Sequence, residues 1–516
     1  MNAAAAAASQ STLATSAMSA FASPYVLLLL ILVSALAIRA LFRPGPLDRI
    51  PAVGPAGPLT SYFGALLYMF RGKDMIQEGY ERYYGGWFKV PLIDRWMVVV
   101  SGKKLSEELR SAPDDVFSLD QALLDMLHLD FVFGEKVYMN PIQTTLIQTK
   151  MTRAIQELTP DLHDECVLAF EQLMPLTDSK EWTSVPCLDT GRQLSTRINN
   201  RILVGPQLCR DQTYINLNLR FIVDIFQCRF LFCLFPKFLE PIVGYLFTNI
   251  GTDIKTGMRL LKPVLDERVK ALEDADGDWS SQPNDMLSWL IASVPKDETL
   301  DTMTRRMLGV NVAAIHTISH TFTHSCYYLA ANQQFIGPIR KEVEEVIGAD
   351  GWTKGAFGKL VLLDSFLREV LRLNGAQALS LNRIALKDYT FSDGTFVPKG
   401  TNLCACSLPV HTDPGVYERP QEFDPFRFAR MVKEEGAAGK HLFVTTSLDY
   451  LPWGHGSHAC PGRFFAANQL KLMLAHLLLN YDIELEQPGI VPPRMWFEAA
   501  VIPHQTARLL YRKRQA

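Results

Sequence analysis

The stretch Trp453-Gly454-His455-Gly456-Ser457-His458-Ala459-Cys460-Pro461-Gly462, running into Arg463-Phe464-Phe465-Ala466, constrains this chain more than any other segment. Glycine at 454, 456 and 462 permits backbone conformations closed to other residues, and close approach to a flat surface where a Cβ would clash. The sequence after Gly462 reads as a helix, so Cys460 falls just ahead of a helix N-terminus. A thiolate there is held as an anion by the helix dipole and by inward-pointing amides. A buried cysteine is also a common small hydrophobe. The spacing of glycines, basic residue and cysteine near the C-terminus favours a ligand.

Composition excludes several classes. The 516 residues carry a net charge of −3, so no basic field invites nucleic acid. At 48% hydrophobic content the chain can bury a large core. The nine cysteines (166, 187, 209, 228, 233, 326, 404, 406 and 460) include no CxxC pair, which argues against a zinc ribbon or redox dithiol. Their odd number and wide spacing suit reduced thiols facing the cytosol.

Residues 1–24 are rich in Ala and Ser, carry no charge and read as disordered; a mitochondrial presequence would need arginines. Residues 25–42 are almost wholly apolar and reach roughly 27 Å as a helix, near the thickness of a bilayer core. Arg39, Arg43 and Arg49 sit towards or beyond its end and no basic residue precedes it, so the body lies on the cytoplasmic side. A cleaved signal peptide is the alternative, since Ala35-Leu36-Ala37 resembles a cleavage site. Residues 43–59 hold Pro44, Pro46, Pro51, Pro55 and Pro58, a stiff hinge between anchor and body or an ordinary linker.

From residue 60 the pattern is mostly helical. Trp96 to Val100 reads as a buried strand. Ser392-Asp393-Gly394 reads as a hairpin turn. Residues 221–247 are unusually greasy, suiting either helix core or a substrate-access and membrane-contact region. Glu369 and Arg372, three apart on a helix, can pair on one face. Phe423-Asp424-Pro425-Phe426-Arg427-Phe428 adds another arginine in a proline-bent loop. Ala313-Ala314-Ile315-His316-Thr317-Ile318-Ser319 places small residues where a helix could pass close over a flat group. His316, His320 and His324 recur every four residues, and such a stripe can bind zinc or copper. No carboxylate or cysteine nearby completes such a set.

These segments, in this order, resemble the cytochrome P450 family, most like membrane-bound fungal members of specialised metabolism. The resemblance spans essentially the whole chain and is sharp only beyond residue 300. The opening aromatic of the cysteine loop is Trp453 where the family usually has Phe. The resemblance implies a mainly α fold with a small β-rich lobe, with residues 60–516 as the catalytic domain. It implies haem b, with Cys460 as the axial iron ligand favouring O–O cleavage. Gly454, Gly456, Gly462, Ala313 and Ala314 would line the haem, and His458 and Arg383 would meet its propionates. A third propionate partner normally comes from an early helix with a Trp-to-Arg spacing. That spacing is missing; Lys150 and Arg153 are the nearest candidates, and an ordinary surface role suits them equally.

Glu369, Arg372 and Arg427 would form a buried charge network supporting the haem side. Thr317 would be the hydroxyl that delivers protons to dioxygen. His316 replaces the family's usual Asp or Glu, and Ser319 would share the role. The implied reaction is a monooxygenation of a lipophilic small molecule, a terpenoid or steroid-like intermediate of a fungal biosynthetic pathway. No GxGxxG follows a strand, so electrons come from outside, from an NADPH-cytochrome P450 reductase. The expected setting is a monomer in the endoplasmic reticulum membrane. A haem-thiolate isomerase or peroxygenase, or a non-catalytic haem sensor, are the other readings.

Overall fold

The computed structural model of the chain describes residues 45–515 apart from 175–180, 276–277, 279–281, 296 and 437. The uncharged N-terminus and the apolar segment 25–42 therefore lie outside the described residues. Among those described, no helix is long and apolar enough to cross a membrane. Much of the proline-rich stretch is described, and it is pinned to the body. Lys89 N donates to Pro51 O and Val53 N donates to Lys89 O, while Ile50 and Val53 are buried.

Among the described residues the architecture is mainly helical with four small sheets, as expected. Strands β1 (Trp87–Pro91), β2 (Trp96–Val100), β3 (Phe117–Ser118), β4 (Thr183–Pro186), β5 (Leu379–Ala385), β6 (Tyr389–Thr390), β7 (Phe396–Val397), β8 (Asn402–Cys406), β9 (Tyr481–Leu485), β10 (Met495–Phe497), β11 (Ala500–Ile502) and β12 (Arg508–Lys513) follow in chain order. The largest sheet runs β1-β2-β8-β5-β3, and its β2–β8 pair is parallel. The expected strand at 96–100 is β2. The expected hairpin joins β6 to β7, with Gly394 at φ +86 in the turn.

The core is built around the helix Leu300–Ala331. Thr299 caps it: its Oγ1 accepts from Thr302 N, and Thr302 Oγ1 accepts from Thr299 N in return, with Asp301 in the first turn. Ile315, Ile318, Phe322, Cys326 and Leu329 are buried against neighbouring helices. The helix Cys187–Leu203 packs closest to it at Gly191, where a Cβ would stand 2.9 Å from Thr323 Oγ1. The helix Arg463–Asn480 is apolar on nearly every side, and Phe465 to Leu478 are buried. A helix buried all round is a central one, and its N-terminus opens onto the cysteine loop.

The greasy stretch 221–247 divides. It contributes to the helices Gln212–Phe232 and Glu240–Phe247. Phe221, Ile225 and Phe232 are core, while Phe226, Phe238, Ile242, Tyr245, Leu246 and Phe247 are exposed.

Candidate active site

The cysteine loop is closed by its own backbone. Cys460 N donates to Trp453 O at 2.7 Å, and Gly454 N donates to Leu451 O at 2.9 Å. Gly454 and Gly456 take φ of +69 and +79, which a side chain would strain. A Cβ at Gly456 would also come within 2.5 Å of Arg110 Nη1, so that side chain would have to shift. Gly462 is different: φ is −85 and a Cβ would make only ordinary contact with Ile147, so the backbone does not demand glycine there. Trp453 anchors the loop by donating Nε1–H to Phe443 O at 2.8 Å.

Cys460 sits two residues before the N-cap of Arg463–Asn480. Burial pushes its thiol up, against the amides of Gly462 and Arg463 and the Arg463 guanidinium, which pull it down. Burial and the amides thus act in opposite directions on the sulfur.

Arg383 lies on β5 just after a register shift between Ser380 and Arg383, with Leu381 at φ +54. Such a bulge re-aims a side chain. The guanidinium is buried, and its Nε and Nη2 have no hydrogen-bond partner. A buried cation with two unused donors fits an anionic group of a ligand. His458 is placed otherwise: its Nε2 lies 2.6 Å from Asp114 Oδ1. Lys150 and Arg153 are exposed. Arg110, which the sequence did not single out, is the cation that lies against the loop at Gly456, paired with Glu107 at 2.8 Å.

On the long helix, Ala313 and Thr317 form an exposed pair on one face and Ala314 is half-buried beside them. Thr317 Oγ1 donates back to Ala313 O at 3.1 Å or Ala314 O at 3.2 Å. Its proton is thus held, and its lone pairs are available on the open face. His316 has a buried Nε2 with no partner, and burial then Arg192 pull its pKa down to about 4. Ser319 is buried and donates to His316 O at 3.1 Å. Two residues on from Thr317, it stands about 200° round the helix. The histidine stripe is not gathered round a point: among the described residues no cluster of three or more His, Cys, Asp or Glu could hold a metal ion.

The charge network forms behind the loop. Glu369 accepts from Arg372 Nε at 2.8 Å and Nη2 at 2.7 Å, and both side chains are fully buried. Arg427 Nε donates to Glu369 Oε1 at 3.3 Å, and Asp424 N to the same oxygen at 3.1 Å. Arg372 Nη1 donates to His411 O and Pro420 O. His411 was not visible in the sequence as part of this group. Its Nδ1 lies 3.0 Å from Arg372 O and its Nε2 accepts from Leu451 N at 3.0 Å. Arg368 was also missed; it donates to Thr445 O at 2.8 Å and stacks 3.7 Å from the Tyr450 ring.

A half-buried thiol just before a helix, an exposed hydroxyl on a long helix with small neighbours, and an unpartnered buried guanidinium fit a haem-thiolate type of site. The comparisons agree. The cytochrome P450 family model matches residues 55–511. The chain is similar to cytochrome P450 monooxygenase 103 of Postia placenta, 41% identical over 95% of this chain and 98% of that one. It is similar to cytochrome P450 monooxygenase CYP512U6 of Ganoderma lucidum, 35% identical over 91% and 92%. It is also similar to ent-kaurene oxidase P450-4 of Gibberella fujikuroi, 30% identical over 90% and 93%. The chain belongs to the cytochrome P450 family and is a P450 monooxygenase.

Proposed function

We propose that this chain oxidises a lipophilic small molecule, of terpenoid or steroid-like type, in a fungal biosynthetic pathway. It would use haem b, dioxygen and electrons from an NADPH-cytochrome P450 reductase, at the endoplasmic reticulum membrane with its body in the cytoplasm. Two observations carry the haem reading: Cys460 faces two backbone amides, and the buried guanidinium of Arg383 has two donors without partners. The residues present fit the group. Cys460 would ligate iron, Arg383 would meet a propionate, and Ala313 and Ala314 would leave room above a flat ring. When bound, haem supplies the activation of dioxygen and the insertion of one oxygen atom into a C–H bond.

The chain's own residues supply order around that chemistry. Thr317 holds a proton at Oγ1 on the face left open by Ala313. His316 is neutral near pH 7, so its ring offers one donor and one acceptor without holding charge. Glu369, Arg372 and Arg427 fix the backbone that carries the loop.

The lipophilic substrate is supported by surface. Phe63, Leu66 and Phe70 on the helix Thr60–Arg82 are exposed, as are Phe238, Ile242, Tyr245, Leu246 and Phe247. The β10–β11 hairpin ties the first of these elements to the helix Gln212–Phe232, which leads into the second: Glu498 N donates to Met69 O, and Phe497 packs 5.2 Å from Phe230. Exposed apolar residues such as these suit a membrane or partner contact, and substrates dissolved in lipid would arrive there. One relative's name, ent-kaurene oxidase, points the same way.

Haem-loaded protein should be incubated with NADPH, a P450 reductase and a panel of diterpenes, triterpenes, sterols and small polar aromatics under labelled dioxygen. One labelled oxygen atom in a terpenoid or sterol product is expected. Binding and oxidation of small polar aromatics alone would contradict the substrate class, and turnover with peroxide but never with NADPH and reductase would establish a peroxygenase.

A further inference from the structure

The long helix carries buried groups that the monooxygenase reading leaves unused. His316, His320 and His324 each hold a buried Nε2 with no hydrogen-bond partner. At four-residue spacing they span about 12 Å of helix axis. The rings of His316 and His320 stand 6.1 Å apart and nearly perpendicular, too far for a direct hydrogen bond and right for a bridging water. His324 is buried, and His320 is half-buried with its Nε2 covered.

Polar atoms without partners continue across the packing seam. Thr323 Oγ1 has none, and neither has Arg192 Nε or Ser195 Oγ on the facing helix Cys187–Leu203. Each buried group left truly dry would cost about 1–3 kcal/mol. Ordered water would satisfy such a row, each molecule taking two to four polar partners. The row also has two distinct ends. His316 is the chain neighbour of Thr317. His324 feels the charge of Arg494, which is exposed on the surface. Burial, then Arg192 and the neighbouring rings, keep the stripe neutral. A neutral imidazole has one donor and one acceptor nitrogen and can pass a proton without keeping it.

We propose that His316, His320 and His324, bridged by ordered water, form a proton path from the surface at Arg494 to the hydroxyl of Thr317. This rests on the monooxygenase reading above. Each transfer moves a proton and no electron. Water at the Arg494 end protonates the acceptor nitrogen of His324, and the ring's other nitrogen gives up its proton to the next water. The same exchange follows at His320 and His316, and Thr317 Oγ1 receives a proton as it releases its own. The rings end neutral and reset by tautomer exchange. Reduction of dioxygen to one inserted oxygen atom and one water consumes two electrons, from NADPH through the reductase, and two protons, along this path.

The test has two arms, both on full-length haem-loaded protein. A crystal structure fine enough to place water should show water within hydrogen-bond distance of the three Nε2 atoms; a dry row would overturn the path. In phosphatidylcholine vesicles with NADPH and a P450 reductase, peroxide released is measured per dioxygen consumed. His320→Phe should cut the share of dioxygen reduced to water by about tenfold, with the carbon-monoxide band intact, and His320→Gln, which keeps a donor and an acceptor, should recover most of it. Wild-type partitioning in His320→Phe with an intact band would overturn the path. If His320→Phe loses the band, the water arm decides. A wild-type protein that never consumes dioxygen with NADPH and reductase would instead fail the monooxygenase reading.

Discussion

His411 Nε2 accepts the backbone proton of Leu451 at 3.0 Å, and this bond joins the buried charge network to the chain that enters the cysteine loop. On its other side Nδ1 lies 3.0 Å from Arg372 O, so one neutral tautomer, Nδ1–H, serves both contacts. The position of Cys460 thus depends on a residue 49 positions away in sequence.

Replacing His411 by Ala should leave Leu451 N and Arg372 O unpartnered, at a cost of about 1–3 kcal/mol each. Denaturant midpoints of the haem-loaded protein should fall accordingly, and haem should be lost faster. His411→Gln should lie between the two.

Acid should weaken the fold through the same residue type. Burial holds His411 and His324 down at about 3, and His316 and His476 at about 4, against an ordinary value of 6.5. The unfolded chain binds these protons below pH 6.5 and the folded chain does not. Stability present above pH 6.5 is therefore lost progressively as pH falls towards 4 and 3. By pH 5 each group should remove about 2 kcal/mol. Urea midpoints at pH 7 and pH 5 measure this, and His476→Phe should flatten the slope by one group.

Glu369→Gln should be more damaging than any single surface change. It leaves the Arg372 guanidinium, fully buried, and that of Arg427 without their shared carboxylate. Removing one partner of a buried pair costs about 3–5 kcal/mol. The expected result is protein that accumulates poorly and holds little haem, read as the ratio of Soret to protein absorbance.

Arg383→Met should act in opposite directions on the two forms. Without haem the guanidinium is a buried charge with two idle donors, and removing it should raise the melting temperature of the haem-free chain. With haem, its loss should speed haem transfer to an acceptor globin. A variant that weakens both forms equally would mark Arg383 as structural.

Thr317→Ala should keep the helix, since Ala is a strong helix former and the hydroxyl bonds only to its own preceding turn. Substrate binding should persist while product per NADPH falls by about tenfold or more. Thr317→Ser should retain most of the wild-type coupling.

What the sequence revealed and what it hid follow from distance along the chain. The cysteine loop was legible because its demands are local: two glycines at positive φ and a helix beginning at Arg463. The Glu369–Arg372 pair was legible as one helical turn. His411 was not, because its contacts reach 39 and 40 residues along the chain. Arg110 was hidden for the same reason: nothing near it in sequence announces the steric contact at Gly456. Lys150 and Arg153 show the converse, since charge alone does not say which way a helix turns, and both are exposed. The burial that acts on Cys460 was hidden too, because helix-terminus electrostatics can be read from sequence and desolvation cannot.

The most direct measurement is the reduced, carbon-monoxide difference spectrum of membranes expressing the full chain, beside a Cys460→Ala control. A Soret band strongly red-shifted from that of histidine-ligated haem, and absent from the control, is the predicted result. A histidine-type band, or a red-shifted band that survives the loss of Cys460, would contradict thiolate ligation by this loop.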